Sequence, residues 1–95
     1  MSTVRETSRE AFHSIQPKLK GRRRMVFNAI VVLQQYGALG APTDLEIAQE
    51  CHFRDPNRVR PRRRELVQMG IIEEAGKREC SVSHQNVLTW RICNR

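Results

Sequence analysis

Residues 55–70, Asp-Pro-Asn-Arg-Val-Arg-Pro-Arg-Arg-Arg-Glu-Leu-Val-Gln-Met-Gly, narrow the possible folds more than any other stretch. Five arginines fall between Arg58 and Arg64, and no acid interrupts them. Val59, Leu66, Val67 and Gly70 lie at offsets of seven, eight and eleven, so they share one face of a helix. Asp55 and Asn57 are both N-cap candidates, and Gly70 stands where a C′ glycine ends a helix. At ~100° per residue, Asn57, Pro61, Arg64 and Gln68 point away from the apolar stripe, with Arg58 and Arg60 on the flanks. The segment therefore reads as one helix that buries a narrow stripe and presents guanidinium groups and an amide outward. Arginine grips phosphate or reaches guanine O6/N7 bidentately, and asparagine pairs with adenine N6/N7. The plain alternative is a solvated helix with surface arginines. Such a helix usually mixes Glu with Lys at i,i+4, and here Glu65 stands alone.

The segments on either side give this helix its setting. Thr43-Asp-Leu-Glu46 is a capping box that opens a short helix to about Cys51, with Leu45, Ile47, Ala48 and Cys51 apolar. A brief turn then leads to the basic helix, which is the helix-turn-helix order. Upstream, residues 1–6 are polar and expected to be loose. Thr7-Ser-Arg-Glu10 is a first capping box, predicting a helix over about 8–16 with Ala11, Phe12 and Ile15 on one side, stopped by Pro17. Residues 22–36 are the most apolar stretch and predict the central core helix, ended by Gly37 with Tyr36 packing nearby. After Gly70 the period becomes two. Residues 71–80 and 87–92 predict a β-hairpin with a polar tip over Ser81–Asn86 and with Leu88, Trp90 and Ile92 on the buried face. A hairpin directly after a recognition helix is a wing.

The chain has 95 residues, enough for one small domain over 7–95, and too few for an enclosed active-site cavity plus a scaffold. Lys and Arg number 17 against 10 acids, a formal charge of +7 that calls for an anionic partner, most simply nucleic acid. Within the excess, Lys18, Lys20, Arg22, Arg23 and Arg24 form a second basic block, placed where a phosphate would relieve the clash between cations and a helix N-terminus. Three cysteines, Cys51, Cys80 and Cys93, are an odd number without framework spacing, and the first residues lack the apolar core of a signal peptide. A cytoplasmic protein with free thiols is the expectation.

This order of elements resembles a winged helix-turn-helix DNA-binding domain of the α+β class, and most of all the small stand-alone forms encoded by bacteria, phages and prophages. The resemblance covers roughly residues 7–93. It is carried by Thr7-Ser-Arg-Glu-Ala11, Arg24 to Leu33, Thr43-Asp-Leu-Glu-Ile-Ala48, Val59-Arg-Pro-Arg62, Glu65-Leu66, Gly70-Ile-Ile72 and Trp90-Arg91. It implies double-stranded DNA as partner, with the second helix in the major groove and the wing on an adjacent groove or phosphate, in transcriptional or replication regulation. Carried over by position, Asn57, Arg58, Arg60 and Arg64 are expected to face bases or nearby phosphates, and are taken as the base-facing set. Lys18, Lys20, Arg22, Arg23, Arg24, Arg62, Lys77 and Arg78 meet phosphate, Arg62 holding the backbone or bracing the fold. The chain departs from the pattern at Arg63, which stands where an apolar residue is usual.

Other chemistry has weaker support. The spacing of Cys51, His52, Cys80, His84 and Cys93 fits no metal-ligand template, and on a hairpin Cys80 and Cys93 would lie on the order of 20 Å apart. Cys51 reads better as a core residue. No Gly-rich phosphate loop, serine elbow or paired-carboxylate motif occurs, so neither an enzyme nor a cofactor is expected. Trp90 could stack on a base, but its alternation with Leu88 and Ile92 makes it a core residue that closes the wing. Two further functions stay open: a winged-helix protein–protein adaptor, since fold does not fix function, and an RNA- or ribosome-associated basic protein. A homodimer through residues 8–16 is a further possibility.

Overall fold

A computed structural model describes residues 19–93. Three helices come first, α1 (Gly21–Tyr36), α2 (Asp44–Glu50) and α3 (Arg60–Gln68), with a 3-10 turn over Pro56–Arg58 just before α3. An antiparallel hairpin follows, β1 (Ile72–Glu79) and β2 (Asn86–Ile92). The class is α+β, with the hairpin after the helices, an order compatible with a winged helix. The helix expected over 8–16, the loose segment 1–6 and Lys18 lie outside the described residues.

α1 is the central helix, burying Val26, Phe27, Ala29 and Ile30. It stops where Gly37 N–H bonds to Leu33 O at 3.0 Å; a Cβ on Gly37 would sit 2.5 Å from that oxygen, so no larger residue fits without moving the chain. Tyr36 does not pack as expected. It is 81% exposed, because it falls on the outward side of α1 with Met25 and Val32. α2 opens with the expected capping box: Glu46 N–H donates to Thr43 Oγ1 at 3.3 Å, and Thr43 N–H donates to Glu46 Oε1 at 3.1 Å.

The two helices of the pair end alike. After α2, Phe53 N–H reaches back to Ala48 O and His52 N–H to Gln49 O; after α3, Ile71 N–H reaches Leu66 O and Gly70 N–H reaches Val67 O. Both sets are the paired bonds of a Schellman ending, which needs a left-handed residue at C′. Gly70 supplies it after α3 with φ +76°, and His52 after α2 with φ +61°. Each ending also turns an apolar side chain, Phe53 or Ile71, back onto the core.

The basic segment is not one rod. Asp55 Oδ1 accepts from Asn57 N–H at 2.9 Å and caps the 3-10 turn, and the α-helix proper starts only at Arg60. Pro61 then sits in the first helical turn, where its missing N–H costs no bond. The buried stripe is narrower than the offsets suggested: Val59 and Leu66 are fully buried, but Val67 is 38% exposed.

In the hairpin, Glu74 faces Trp90 and Gly76 faces Thr89, so Ala75 is an extra residue and forms a bulge. Trp90 and Ile92 are buried and Leu88 half-buried, as the alternation predicts. Thr89, expected on the open side, is buried too, its hydroxyl donating to Gly76 O across the bulge at 3.0 Å. The outer edge of β2 is covered: Trp90 N–H donates to Pro42 O at 2.9 Å and Ile92 N–H to Gln34 Oε1 at 2.8 Å. Leu19, Val26, Phe27, Ile30, Ile47, Val59, Leu66, Ile72, Trp90 and Ile92 close one core shared by helices and hairpin. No helix among the described residues is long and apolar enough to cross a membrane.

Candidate nucleic-acid interface

The arginines of the basic segment divide according to whether a carboxylate reaches them. Arg63 points inward along the edge of the core. Its Nε and Nη2 donate to Asp44 Oδ1 and Oδ2 at 3.0 and 2.8 Å, and its guanidinium lies 4.0 Å from the centre of the Trp90 ring. This accounts for the departure at Arg63. A planar cation can pair bidentately on one side and lie over an aromatic face on the other, which no apolar side chain could do. The Asp44–Arg63–Trp90 stack thereby joins α2, α3 and β2.

Arg62 is 3.3 Å from Glu65, which is also 3.2 Å from Arg23 on α1. Arg23 and Arg62, two of the residues expected at phosphate, are thus tied to one acid between α1 and α3. Arg60 is exposed; its Nη1 donates to Asn57 Oδ1 at 3.0 Å and its Nε lies 3.7 Å from Asp44 Oδ2. The side chains of Arg58 and Arg64 are exposed and make no ion pair or hydrogen bond with other described residues, and the same holds for the side chains of Lys20, Arg22 and Arg24 at the start of α1 and of Lys77 on β1. α1 has no acid in its first turn to offset that cationic start.

Lys77 and Arg78, paired in the sequence reading, are used differently. Arg78 is only 23% exposed and all its contacts are internal. Its Nη2 donates to Glu46 Oε1 at 2.6 Å and to Ala41 O at 2.8 Å, and its Nη1 donates to Glu46 Oε2 at 2.8 Å and to Glu79 O at 3.0 Å. Glu46 further accepts from Ser81 N–H at 3.0 Å and Ser81 Oγ–H at 2.9 Å. Burial alone would push the Glu46 carboxyl up; the Arg78 guanidinium, with the Ser81 and Thr43 donors, outweighs it and holds the group down at about 2. One acid thus caps α2 and fastens the hairpin tip to it. The adjacent Cys80 is fully buried, with Sγ 3.0 Å from Thr43 Oγ1. Burial would raise its thiol, but the Thr43 hydroxyl and the Ser83 and Val82 N–H groups lower it on balance.

Between the start of α3 and the hairpin lies a cleft of about 430 Å³, with Arg60 and Arg63 on one wall, Lys77, Asn86 and Trp90 on the other, and Asp44 at its side. Asp44 and Glu46 organise this surface, a role that is not evident in the sequence. Their places in the capping box were visible, but their partners lie 19 and 32 residues further along the chain.

The remaining candidates are scattered. Cys51 is buried in the core, its thiol donating to Met25 O at 3.6 Å and pushed up to about 11, chiefly by burial and then by Glu50. His52 lies in the turn and His84 at the hairpin tip beside Glu79, while His13 lies outside the described residues. Among the described residues, no three His, Cys, Asp or Glu side chains gather in a metal-binding group. Comparison with protein-family models, curated proteins and solved structures gave no match.

Proposed function

We propose that this chain is a non-enzymatic winged helix-turn-helix protein that binds double-stranded DNA with sequence preference, regulating transcription or replication of bacterial or phage DNA in the cytoplasm. In this reading α3 enters the major groove. The cationic start of α1 and Lys77 on the hairpin lie against phosphates on either side of it. The observation that carries the reading is the outward side of the basic segment. Arg58 and Arg64 project from it unpaired, while Val59, Leu66 and the stacked Arg63 hold the helix from behind. Unpaired guanidinium groups concentrate positive charge on that side, and an anionic groove offsets it. Arg62, Arg23 and Arg78, tied to acids, serve the framework in this reading and leave the contacts to the unpaired cations.

Mobility shift with duplex DNA at low and moderate salt, followed by selection from a random duplex pool, tests the proposal. The expected result is a defined motif that survives moderate salt. Binding that vanishes with salt and selects no motif would instead favour an adaptor, and preference for structured RNA in competition would favour the RNA-associated reading. A palindromic motif would further indicate a homodimer.

A further inference from the structure

Arg60 differs from Arg58 and Arg64 because its guanidinium is held. Nη1 donates to Asn57 Oδ1 at 3.0 Å, and Nε lies 3.7 Å from Asp44 Oδ2. Asp44 is no swinging surface acid. It is 17% exposed and fixed by its two bonds to Arg63, which in turn lies over Trp90. A guanidinium offers five N–H donors in a planar fork. One Nη1–H is taken by Asn57, while Nε stands at ion-pair distance from Asp44 without a hydrogen bond to it. The second Nη1–H and the two on Nη2 remain as donors, and a pair of parallel guanidinium N–H groups is what matches guanine O6 and N7. The same acid discourages the other use of this arginine. A phosphodiester oxygen brought to Arg60 would meet the Asp44 carboxylate as a like charge, whereas a guanine edge is neutral.

Resting on the DNA-binding reading above, we infer that Arg60 is a guanine-reading residue set in place by Asp44 and Asn57, and that Asp44 is the acid that determines its specificity. Asn57 then acts through Arg60 as a positioning residue, a different task from the adenine contact its place in the sequence suggests.

Selection from a random duplex pool by the full-length protein and by its Arg60→Ala, Asp44→Asn and Asn57→Ala variants tests this. The wild-type motif is expected to contain a G·C pair whose preference disappears in Arg60→Ala. Asp44→Asn and Asn57→Ala should weaken preference at that same pair by roughly tenfold while leaving other positions unchanged. Asp44→Asn should also bind off-motif duplex more tightly, since a negative charge has left the interface. A change spread evenly over the motif in both variants, or no change, overturns the inference. Asn57→Ala keeps the Asp44–Arg63 pair intact, so it tests the positioning of Arg60 even if Asp44→Asn lowers the folded fraction, and the Asp44→Asn selection is then read on the folded protein alone. A motif unaltered in Arg60→Ala overturns the inference while leaving DNA binding in place. A wild-type protein that selects no motif overturns both.

Discussion

Asp44 lies within 3.0 Å of Arg63, and Glu65 within 3.3 Å of both Arg23 and Arg62, while no described carboxylate reaches Arg58 or Arg64. That difference sorts side chains of identical chemistry into struts and free cations, and their substitutions should behave differently. Arg64→Ala should leave stability nearly unchanged and shift relative affinity among DNA sequences by roughly 1–3 kcal/mol, read by competition between duplexes. Lys77→Ala should weaken all duplexes alike and lower the slope of log affinity against log salt by about one. Arg62→Ala removes a half-exposed pair and should cost under about 1 kcal/mol of stability, with no change in sequence preference. Of the free cations, Arg64 could be picked out as outward from helical spacing alone. Which of the others were struts could not, because that depends on acids brought in from α1 and α2.

At the level of elements, the local signals were the readable ones. The Thr43–Glu46 capping box and the stop at Gly70 each depend on residues a few positions apart, and each forms where the sequence places it. The single rod expected over 55–70 failed for an equally local reason: Pro56 and Pro61 divide it into a 3-10 turn and a helix. The matched endings of α2 and α3 make a prediction of their own. His52 holds a left-handed conformation that glycine adopts at less cost, and its side chain is exposed. His52→Gly should therefore stabilise the fold by about 0.5–1 kcal/mol, seen as a rise of a few degrees in Tm. Gly70→Ala should do the reverse by about 1 kcal/mol. Nothing lies within 4 Å of the Cβ it would add, so backbone strain alone sets the cost.

Across the whole molecule, two ionic fasteners hold the parts together: Asp44–Arg63 ties α2 to α3 with Trp90 of β2 against the guanidinium, and Glu46–Arg78 ties α2 to the hairpin; both are formed by residues distant in sequence and neither is legible from it. The second carries a pH dependence. Glu46 is held at about 2 in the folded state against an ordinary 4.5, so the folded form binds fewer protons. Its stabilising effect is full above about 4.5 and is lost as pH falls toward 2. Arg78→Met should cost about 3 kcal/mol at neutral pH by leaving a buried carboxylate without its cation. It should also flatten the acid limb of a stability–pH curve measured by chemical denaturation.

The other fastener has a practical consequence. Trp90 is the chain's single tryptophan, and it lies directly beneath Arg63 at the seam between ribbon and helix. Its emission is an intrinsic, label-free gauge of that seam. A duplex that pries the ribbon from α3 would change the colour and quenching of one fluorophore, and a duplex that docks on a rigid surface would leave both as they were.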